Sequence, residues 1–165
     1  MAVDPRSKLQ DLVADFDDAM LVTSDANGDL QARPMHVAEH DEDTGTIVFA
    51  SSILSEKVDE LRAHPSVCVA FQGPRKYVSL TGEASVDQDR DKIRELYSTA
   101  WKLWFPDGPE QADICLIRFR PAIGAYWDNS GTEGLSFAWK AAVALVSGDG
   151  MDPGEDPSKH AETTV

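Results

Sequence analysis

Apolar residues recur at helical spacing near the start of the chain. Asp4 precedes Pro5, and an acceptor side chain followed by proline is typical of a helix start. The residues after this start stand at i, i+3, i+4 and i+7 and therefore share one helical face: Leu9, Leu12, Val13 and Phe16. The pattern predicts an amphipathic helix that opens the chain.

The next segments alternate apolar and polar residues as strands do. MLVTS and LQARPMHV flank a turn that contains Asn27-Gly28, and this arrangement favours a β-hairpin. Pro34 has no backbone N–H, so we expect an edge or irregular position in the second of these strands. TIVFAS predicts a third strand. SVCVAFQ and KYVSLTGEASV predict a second hairpin, joined at Gly73-Pro74-Arg75.

Helical spacing returns twice in the middle of the chain. A short helix is predicted after Ser55, its N-cap, and Pro65 ends its pattern. One longer helix is predicted from Asp89 to the WFPDG segment, on a stripe formed by Ile93, Leu96, Tyr97, Ala100 and Trp104. After it, DICLIRFR and AIGAYWD predict two final strands separated by Pro121.

Six or seven strands that follow one another through hairpins favour an antiparallel β-barrel over βαβ units. We therefore expect a mainly β fold with a few peripheral helices, formed by one domain over residues 1–148. Near its end, FAWKAAVALV fits either a helix or a strand. Residues 149–165 are rich in glycine, proline and acid, and they predict a disordered tail.

Composition excludes several classes of partner. Fifteen basic and 29 acidic side chains give a net charge of −14, which repels nucleic acid and anionic lipid. No stretch approaches the roughly 18 apolar residues of a membrane span, and the first residues lack a secretory apolar core, so we expect a cytoplasmic protein. The four histidines lack metal-ligand spacing, and no metal site is predicted. Cys68 and Cys115 lie in apolar runs and are expected to be buried, reduced thiols.

Candidate chemistry concentrates in two segments. Arg33 lies on the second predicted strand, and Ser55 and Lys57 lie where the third strand meets the short helix. A helix start offers backbone N–H groups and the positive end of the helix dipole, so these residues could form a phosphate site if the two strands are neighbours. Met35 shares a strand face with Arg33. The alternative is purely structural: an N-cap serine, a solvated lysine and an arginine paired with an acid.

The ordered segments LVTSDANGDLQARPM, IVFASSILSEKVDELRAHPSVCVAF, YVSLTGEASV, WFPDG and IGAYWD resemble one family over about residues 6–129. It is the general stress protein 26 family, within the pyridoxamine 5'-phosphate oxidase-like FMN-binding split barrels. The resemblance implies a six-stranded antiparallel Greek-key split β-barrel, and a homodimer that holds FMN in clefts between its subunits.

The same resemblance implies roles for individual residues. By position, Arg33, Ser55 and Lys57 are similar to phosphate contacts, and the isoalloxazine contacts would be Pro34, Met35, Ala50 and Ser51. Tyr77 and Trp127 occupy places similar to further flavin contacts, reached across the dimer, with core packing as the alternative. Trp101 and Trp104 are expected in the core or at an interface rather than around a cofactor.

Two departures from the oxidase pattern argue against vitamin B6 oxidation. DNSGTEGLSF replaces a basic substrate-binding stretch, and Glu56 stands where those oxidases often have arginine. No catalytic residue is identified. Two hypotheses remain: an FMN-dependent oxidoreductase acting on an unidentified small substrate, and a non-catalytic flavin-binding stress protein for storage or sensing. FAD, coenzyme F420 and haem stay open as ligands, because fold alone does not choose among them.

Overall fold

The computed structural model describes residues 4–129 and 160–165. Three α-helices and one 3-10 helix occur in these ranges: α1 (Pro5–Ala14), α2 (Glu56–Ala63), α3 (Arg90–Leu96) and the 3-10 helix Thr99–Leu103. The strands are β1 (Asp18–Ser24), β2 (Leu30–His40), β3 (Ile47–Ser52), β4 (Ser66–Gly73), β5 (Lys76–Asp87), β6 (Ile114–Asp128) and β7 (His160–Thr164). Among the described helices, none has the length and apolar character needed to cross a membrane.

Six strands close into an antiparallel barrel in the order β3-β2-β1-β4-β5-β6, with β6 pairing back to β3. The mainly β barrel predicted from the sequence is confirmed. Because β3 and β4 are not neighbours, the chain must cross from one to the other, and α2 forms that crossing. The crossing places the start of α2 directly after the end of β3, next to β2.

The barrel core is built from alternate positions of the strands. Val78 and Leu80 of β5 point inward, and the apolar face of α1 packs against the same core through Leu9 and Leu12. This confirms the helix predicted at the start of the chain. Burial of each such side chain stabilises the folded state by about 1.5–3 kcal/mol.

Both hairpins form where they were predicted. Gly28 adopts a φ of +88° in the first turn, a conformation that glycine accepts without strain. In the second turn, Arg75 takes a φ of 64° between β4 and β5. Pro34 lies where β2 pairs with β1, and the pairing of β2 with β3 begins only at Val37, so the edge position predicted for this proline is confirmed.

The single long helix predicted after Asp89 is wrong. The chain turns to extended backbone at Tyr97 and resumes as the 3-10 helix after Ser98. Two contacts favour the break: the Tyr97 hydroxyl donates to the Phe105 carbonyl at 2.6 Å, and the Trp101 ring packs edge-on against both rings. These tertiary contacts outweigh a helical stripe interrupted by Ser and Thr, which are weak helix formers.

The separation of two final strands at Pro121 is also wrong, because β6 runs through this proline. A register shift opposite it, between Thr81 and Gly82 of β5, absorbs the irregularity. A bulge tolerates proline because the ladder is already interrupted there. The two backbones approach so closely that a Cβ on Gly82 would lie 2.0 Å from the carbonyl oxygen of Arg120.

The end of the chain differs from the predicted disordered tail. His160–Thr164 forms β7 on the edge of β6 between Ile123 and Trp127. That edge is open because β3 pairs only with the first part of β6, up to Phe119. Residues 130–159, which include FAWKAAVALV and the rest of the expected tail, lie outside the described residues.

Candidate functional site

The junction of β3 and α2 forms one side of a cleft with a volume of about 440 Å³. Strand β2 forms another side. Every residue predicted for the site lines this cleft except Tyr77 and Trp127; the lining members are Arg33, Pro34, Met35, Ala50, Ser51, Ser55 and Lys57. Folding therefore brings together two segments, residues 33–35 and residues 50–57, that come from different strands.

The start of α2 keeps donors available at the cleft. Ser55 occupies the predicted N-cap position, but its hydroxyl does not cap the helix and instead donates to the Ser52 carbonyl at 2.8 Å. The Ser51 and Ser55 hydroxyl oxygens lie 3.2 Å apart. Among the described residues no side chain caps α2, so the backbone N–H groups of Glu56 and Lys57 are left for another acceptor.

Lys57 is a half-buried cation. Its Nζ donates to the Ser51 hydroxyl at 3.1 Å, and in the described parts of the chain no carboxylate pairs with it. Burial, and then the positive charge of Arg33, hold the pKa of Lys57 below its ordinary 10.5. Burying an ammonium group without an acidic partner costs free energy. An external anion bound at this position would offset that cost.

Arg33 has an internal partner as well as a place on the cleft. Its Nη1 donates to Glu60 Oε2 at 2.9 Å and to Thr23 Oγ1 at 3.0 Å. The hydrogen bond from Arg33, and then that from Thr23, lower the pKa of Glu60. The structural alternative, an arginine paired with an acid, is therefore correct for Nη1 of Arg33. The alternative of a solvated lysine is wrong for Lys57, which is half-buried.

The apolar wall beside these cations comes from β2 and β3. Met35 is buried and lies on the same strand face as Arg33, as predicted, while Pro34 and Ala50 complete the wall. Glu56 is exposed and does not line the cleft. Glu56 therefore adds no acid to the lining of the cleft.

Several lining residues were missed by the sequence analysis. They are His36, Ser52, Trp101, Trp104, Phe105 and Asp113. Trp101 is buried, as expected of a core residue, whereas Trp104 is 63% exposed, and both line the cleft. The WFPDG segment contributed to the family resemblance, but its sequence did not indicate that it would line the cleft.

Two of the missed residues are ionisable. Asp113 accepts hydrogen bonds from Gln111 Nε2 and Ser52 Oγ, each at 2.8 Å, and these bonds lower its pKa. His36 Nδ1 lies 3.0 Å from Asp18 Oδ1. The contacts of Asp113 with Ser52 and of His36 with Asp18 have no counterpart in the spacing of the sequence, because each joins residues that lie far apart along the chain.

Tyr77 and Trp127 are cross-strand neighbours on β5 and β6, away from the cleft of their own chain. They are 41% and 37% exposed, so core packing is wrong for both. They belong to a sheet surface, here called the outer face, whose residues alternate with core residues on five strands and carry no charge. Its members are Met20, Val22, Ala32, Pro34, Cys68, Ala70, Tyr77, Ser79, Thr81, Ile123, Ala125 and Trp127.

Comparison with known proteins agrees with this fold. Protein bli-3 of Neurospora crassa is 28% identical over 119 residues, which are 66% of this chain and 57% of that protein, so the chain spans little more than half of this relative. The solved structure from Jannaschia sp. CCS1 that is described as a general stress protein 26 is 25% identical, covers 96% of each chain and has a TM-score of 0.69.

A general stress FMN/FAD binding protein from Xanthomonas citri has a TM-score of 0.66 at 22% identity, over 77% of this chain and 90% of its own. At that identity the likeness shows the fold alone. The family model described as "Pyridoxamine 5'-phosphate oxidase like" matches residues 4–152. The chain belongs to the pyridoxamine 5'-phosphate oxidase-like family.

Proposed function

We propose that the cleft binds a flavin, with FMN as the preferred ligand. The observation that carries the proposal is the half-buried Lys57, which has no carboxylate partner among the described residues of a chain with a net charge of −14. Arg33 lines the same cleft from another element. Two converging cations suit a doubly charged phosphate ester, which satisfies both at once.

The remaining lining residues fit the other parts of the ligand. Ser55 and the uncapped start of α2 offer further donors to the phosphate. Pro34, Met35, Ala50 and Ser51 offer an apolar wall with one hydroxyl to the isoalloxazine ring. The volume of about 440 Å³ falls in the range of roughly 300–1,000 Å³ that is usual for small-molecule sites. The description of the Xanthomonas citri protein as FMN/FAD binding supports the assignment.

The functional unit in this proposal is a homodimer joined through the outer face. A face without charges across five strands is unusual on so acidic a protein, and it suits burial against a second copy. Pro34 lies on both the outer face and the cleft, so a partner seated there reaches the cleft rim. A twofold contact would bring Tyr77 and Trp127 of each subunit toward the cleft of the other.

The activity we propose is oxidoreduction of an unidentified small substrate. The bound flavin would supply the hydride or electron transfer, and the chain would supply orientation and electrostatics. The second candidate is non-catalytic flavin binding for storage or sensing. It is favoured by the segment DNSGTEGLSF, which stands in place of the basic substrate-binding stretch of the oxidases.

The first experiment is an absorbance spectrum of the purified protein, followed by release and identification of any ligand. The ligand-free protein is then titrated with FMN, riboflavin, FAD, coenzyme F420 and haemin. We expect stoichiometric FMN binding, with riboflavin weaker by at least about tenfold because it lacks the phosphate. Equal affinity for FMN and riboflavin, or tighter binding of haemin, would overturn the assignment.

Turnover separates the two candidate functions. The FMN-loaded protein is mixed with NADH or NADPH, and oxidation is compared with that by free FMN at the same concentration. Catalytic oxidation above the free-flavin background supports the oxidoreductase. Stoichiometric binding and ligand-dependent thermal stabilisation without turnover support the storage or sensing role.

A further inference from the structure

Three polar side chains from three elements meet beside the cleft. Arg33 of β2 donates from Nη1 to Glu60 of α2 and to Thr23 of β1, and the Thr23 hydroxyl donates to the same Glu60 oxygen, Oε2. Thr23 is buried, and the Glu60 side chain is only 11% exposed. Such a closed and sheltered arrangement restricts the side-chain torsions of Arg33 before any ligand arrives.

The arrangement uses only part of the guanidinium. Nη1 is engaged by Glu60 and Thr23, while Nε and Nη2 have no hydrogen-bond partner among residues 4–129. Arg33 lines the cleft that holds Lys57. The donors that remain are the ones a phosphate ester would take, and a guanidinium presents them in a rigid plane.

We propose that Glu60 is a positioning residue for Arg33: it fixes the guanidinium at the cleft so that Nε and Nη2 are presented to the phosphate of the ligand. The proposal rests on the proposed flavin site and assigns Glu60 no contact with the flavin. Glu60 lies three positions after Lys57 on α2, and therefore about one helical turn away. Helix α2 thus carries Lys57 and, through Glu60, positions Arg33 of β2.

An anionic residue near a phosphate site would be expected to weaken binding through its charge. Here the charge is matched, because Oε2 of Glu60 accepts from the Arg33 cation itself. Ordering the arginine during folding removes the loss of side-chain freedom that would otherwise accompany binding. We therefore expect positioning to outweigh repulsion.

The test compares two substitutions of Glu60 with one of its neighbour. Glu60→Gln keeps an oxygen that accepts from both Arg33 and Thr23 but removes the charge, whereas Glu60→Ala removes both. Asp59→Ala is the matched control, since Asp59 is 80% exposed on the same helix and pairs with Arg62 at 3.6 Å. Dissociation constants for FMN and riboflavin are measured by flavin fluorescence for each variant.

Glu60→Ala is expected to weaken FMN binding by about tenfold, because Arg33 loses one charged hydrogen-bond partner. The affinity for riboflavin should change little. Glu60→Gln should restore FMN affinity to within about threefold of the original protein, and Asp59→Ala should bind normally. Unchanged FMN affinity in Glu60→Ala, or equal losses for FMN and riboflavin, would overturn the positioning role.

A second measurement needs no flavin. The two guanidinium Nη resonances of Arg33, assigned with Arg33→Lys, are followed by NMR in the ligand-free protein. The hydrogen bonds to Nη1 should slow rotation of the guanidinium, so separate Nη1 and Nη2 signals are expected in the original protein and in Glu60→Gln, and one averaged signal in Glu60→Ala. If Glu60→Ala unfolds, Glu60→Met provides the same test, because it keeps most of the side-chain volume and removes the oxygen that accepts from Arg33.

The binding measurement and the NMR measurement distinguish failure of the proposed function from failure of the positioning role. A protein that binds no FMN loses the proposed function, while the NMR comparison still decides whether Glu60 fixes Arg33. Conversely, normal FMN binding together with Arg33 resonances that do not change when Glu60 is substituted keeps the proposed function and refutes the positioning role.

Discussion

The ammonium nitrogen of Lys57 lies 3.1 Å from the hydroxyl oxygen of Ser51, where β3 ends and α2 begins. Ser51 is the last buried residue of its strand, and Lys57 belongs to the first turn of the helix. The contact therefore ties the two elements together across the mouth of the cleft. It also leaves the lysine charge without a carboxylate in the described chain, and this predicts a specific response to mutation.

Replacing Lys57 with methionine should weaken FMN binding by at least about tenfold and leave riboflavin binding unchanged, because only FMN carries the phosphate. The ligand-free variant should be at least as stable as the original protein, since a half-desolvated charge is removed. Lys102→Met, at an exposed position of the 3-10 helix, is the control. Equal losses of FMN and riboflavin affinity in Lys57→Met would contradict the prediction.

FMN affinity should fall at alkaline pH. Burial and Arg33 lower the pKa of Lys57 below 10.5, and a phosphate binds the protonated amine, so affinity declines as pH rises through the lowered pKa. Titrations from neutral pH to about pH 10 should show this slope for FMN, but not for riboflavin and not in Lys57→Met. A slope of the same size in Lys57→Met would assign it to another group.

The same shift has an effect on stability with a defined sign. Between the lowered and the ordinary pKa, the unfolded chain binds a proton at Lys57 that the folded chain has released. The free energy of unfolding of the original protein, relative to Lys57→Met, should therefore rise with pH in that window. Urea unfolding of both ligand-free proteins at several pH values measures the difference.

A charge on the outer face should separate the subunits. Ala70 lies between Met20 of β1 and Ser79 of β5, so Ala70→Glu places a carboxylate within the uncharged surface. We expect a monomer by light scattering and weaker FMN binding, because burying an unpaired charge at an interface costs several kcal/mol. Thr44→Glu, in the exposed turn after β2, should remain dimeric. A dimeric Ala70→Glu protein would exclude the outer face as the interface.

Gly82→Ala should destabilise the barrel by about 3 kcal/mol, because the new methyl group would meet the Arg120 carbonyl oxygen at 2.0 Å in the bulge beside Pro121. Gly28→Ala is the comparison. Its Cβ would have no neighbour within 4 Å, and only its φ of +88° would resist, at about 1 kcal/mol. Urea unfolding should place Gly82→Ala clearly below Gly28→Ala, and the reverse order would contradict the close approach of β5 and β6.

Cys115 should resist alkylation in the folded protein. It is buried at the start of β6, and burial raises the pKa of its thiol to about 11 despite the nearby Lys57 charge. Little reactive thiolate exists at neutral pH. Mass spectrometry of iodoacetamide-treated protein should show Cys115 modified only after addition of urea. Cys68 is half-buried and provides the comparison in the same chain. Equal rates of Cys115 alkylation in native and unfolded protein would contradict the burial of this thiol.

The elements that the sequence predicted well are those specified by local contacts. The Asn27-Gly28 turn and the face of α1 depend on neighbours within a few residues, so both are visible in the order of residues. The break after Tyr97 depends on a hydrogen bond to the Phe105 carbonyl, and the continuity of β6 depends on a bulge at Ala122, opposite Thr81 and Gly82 of β5. No window of a few residues contains both partners of either contact.

The candidate site divides in the same way. Arg33, Ser55 and Lys57 were predicted because a strand arginine and a helix start each have a chemistry of their own. The identity of the opposite wall, with Trp104 and Asp113, was not predicted, since those residues reach the cleft only after the barrel closes. The partners of Arg33 were missed for the same reason.

By itself, the sequence determined the alternation of strands, the two hairpin turns and the kind of charge available for an anion, because these depend on residue type and on near neighbours. Tertiary structure decided that Arg33 forms an ion pair with Glu60, that Lys57 forms no ion pair in the described chain, and that an uncharged face spans five strands. Coulombic and hydrogen-bond energies depend on distance in space, and barrel closure sets those distances between residues that lie far apart along the chain.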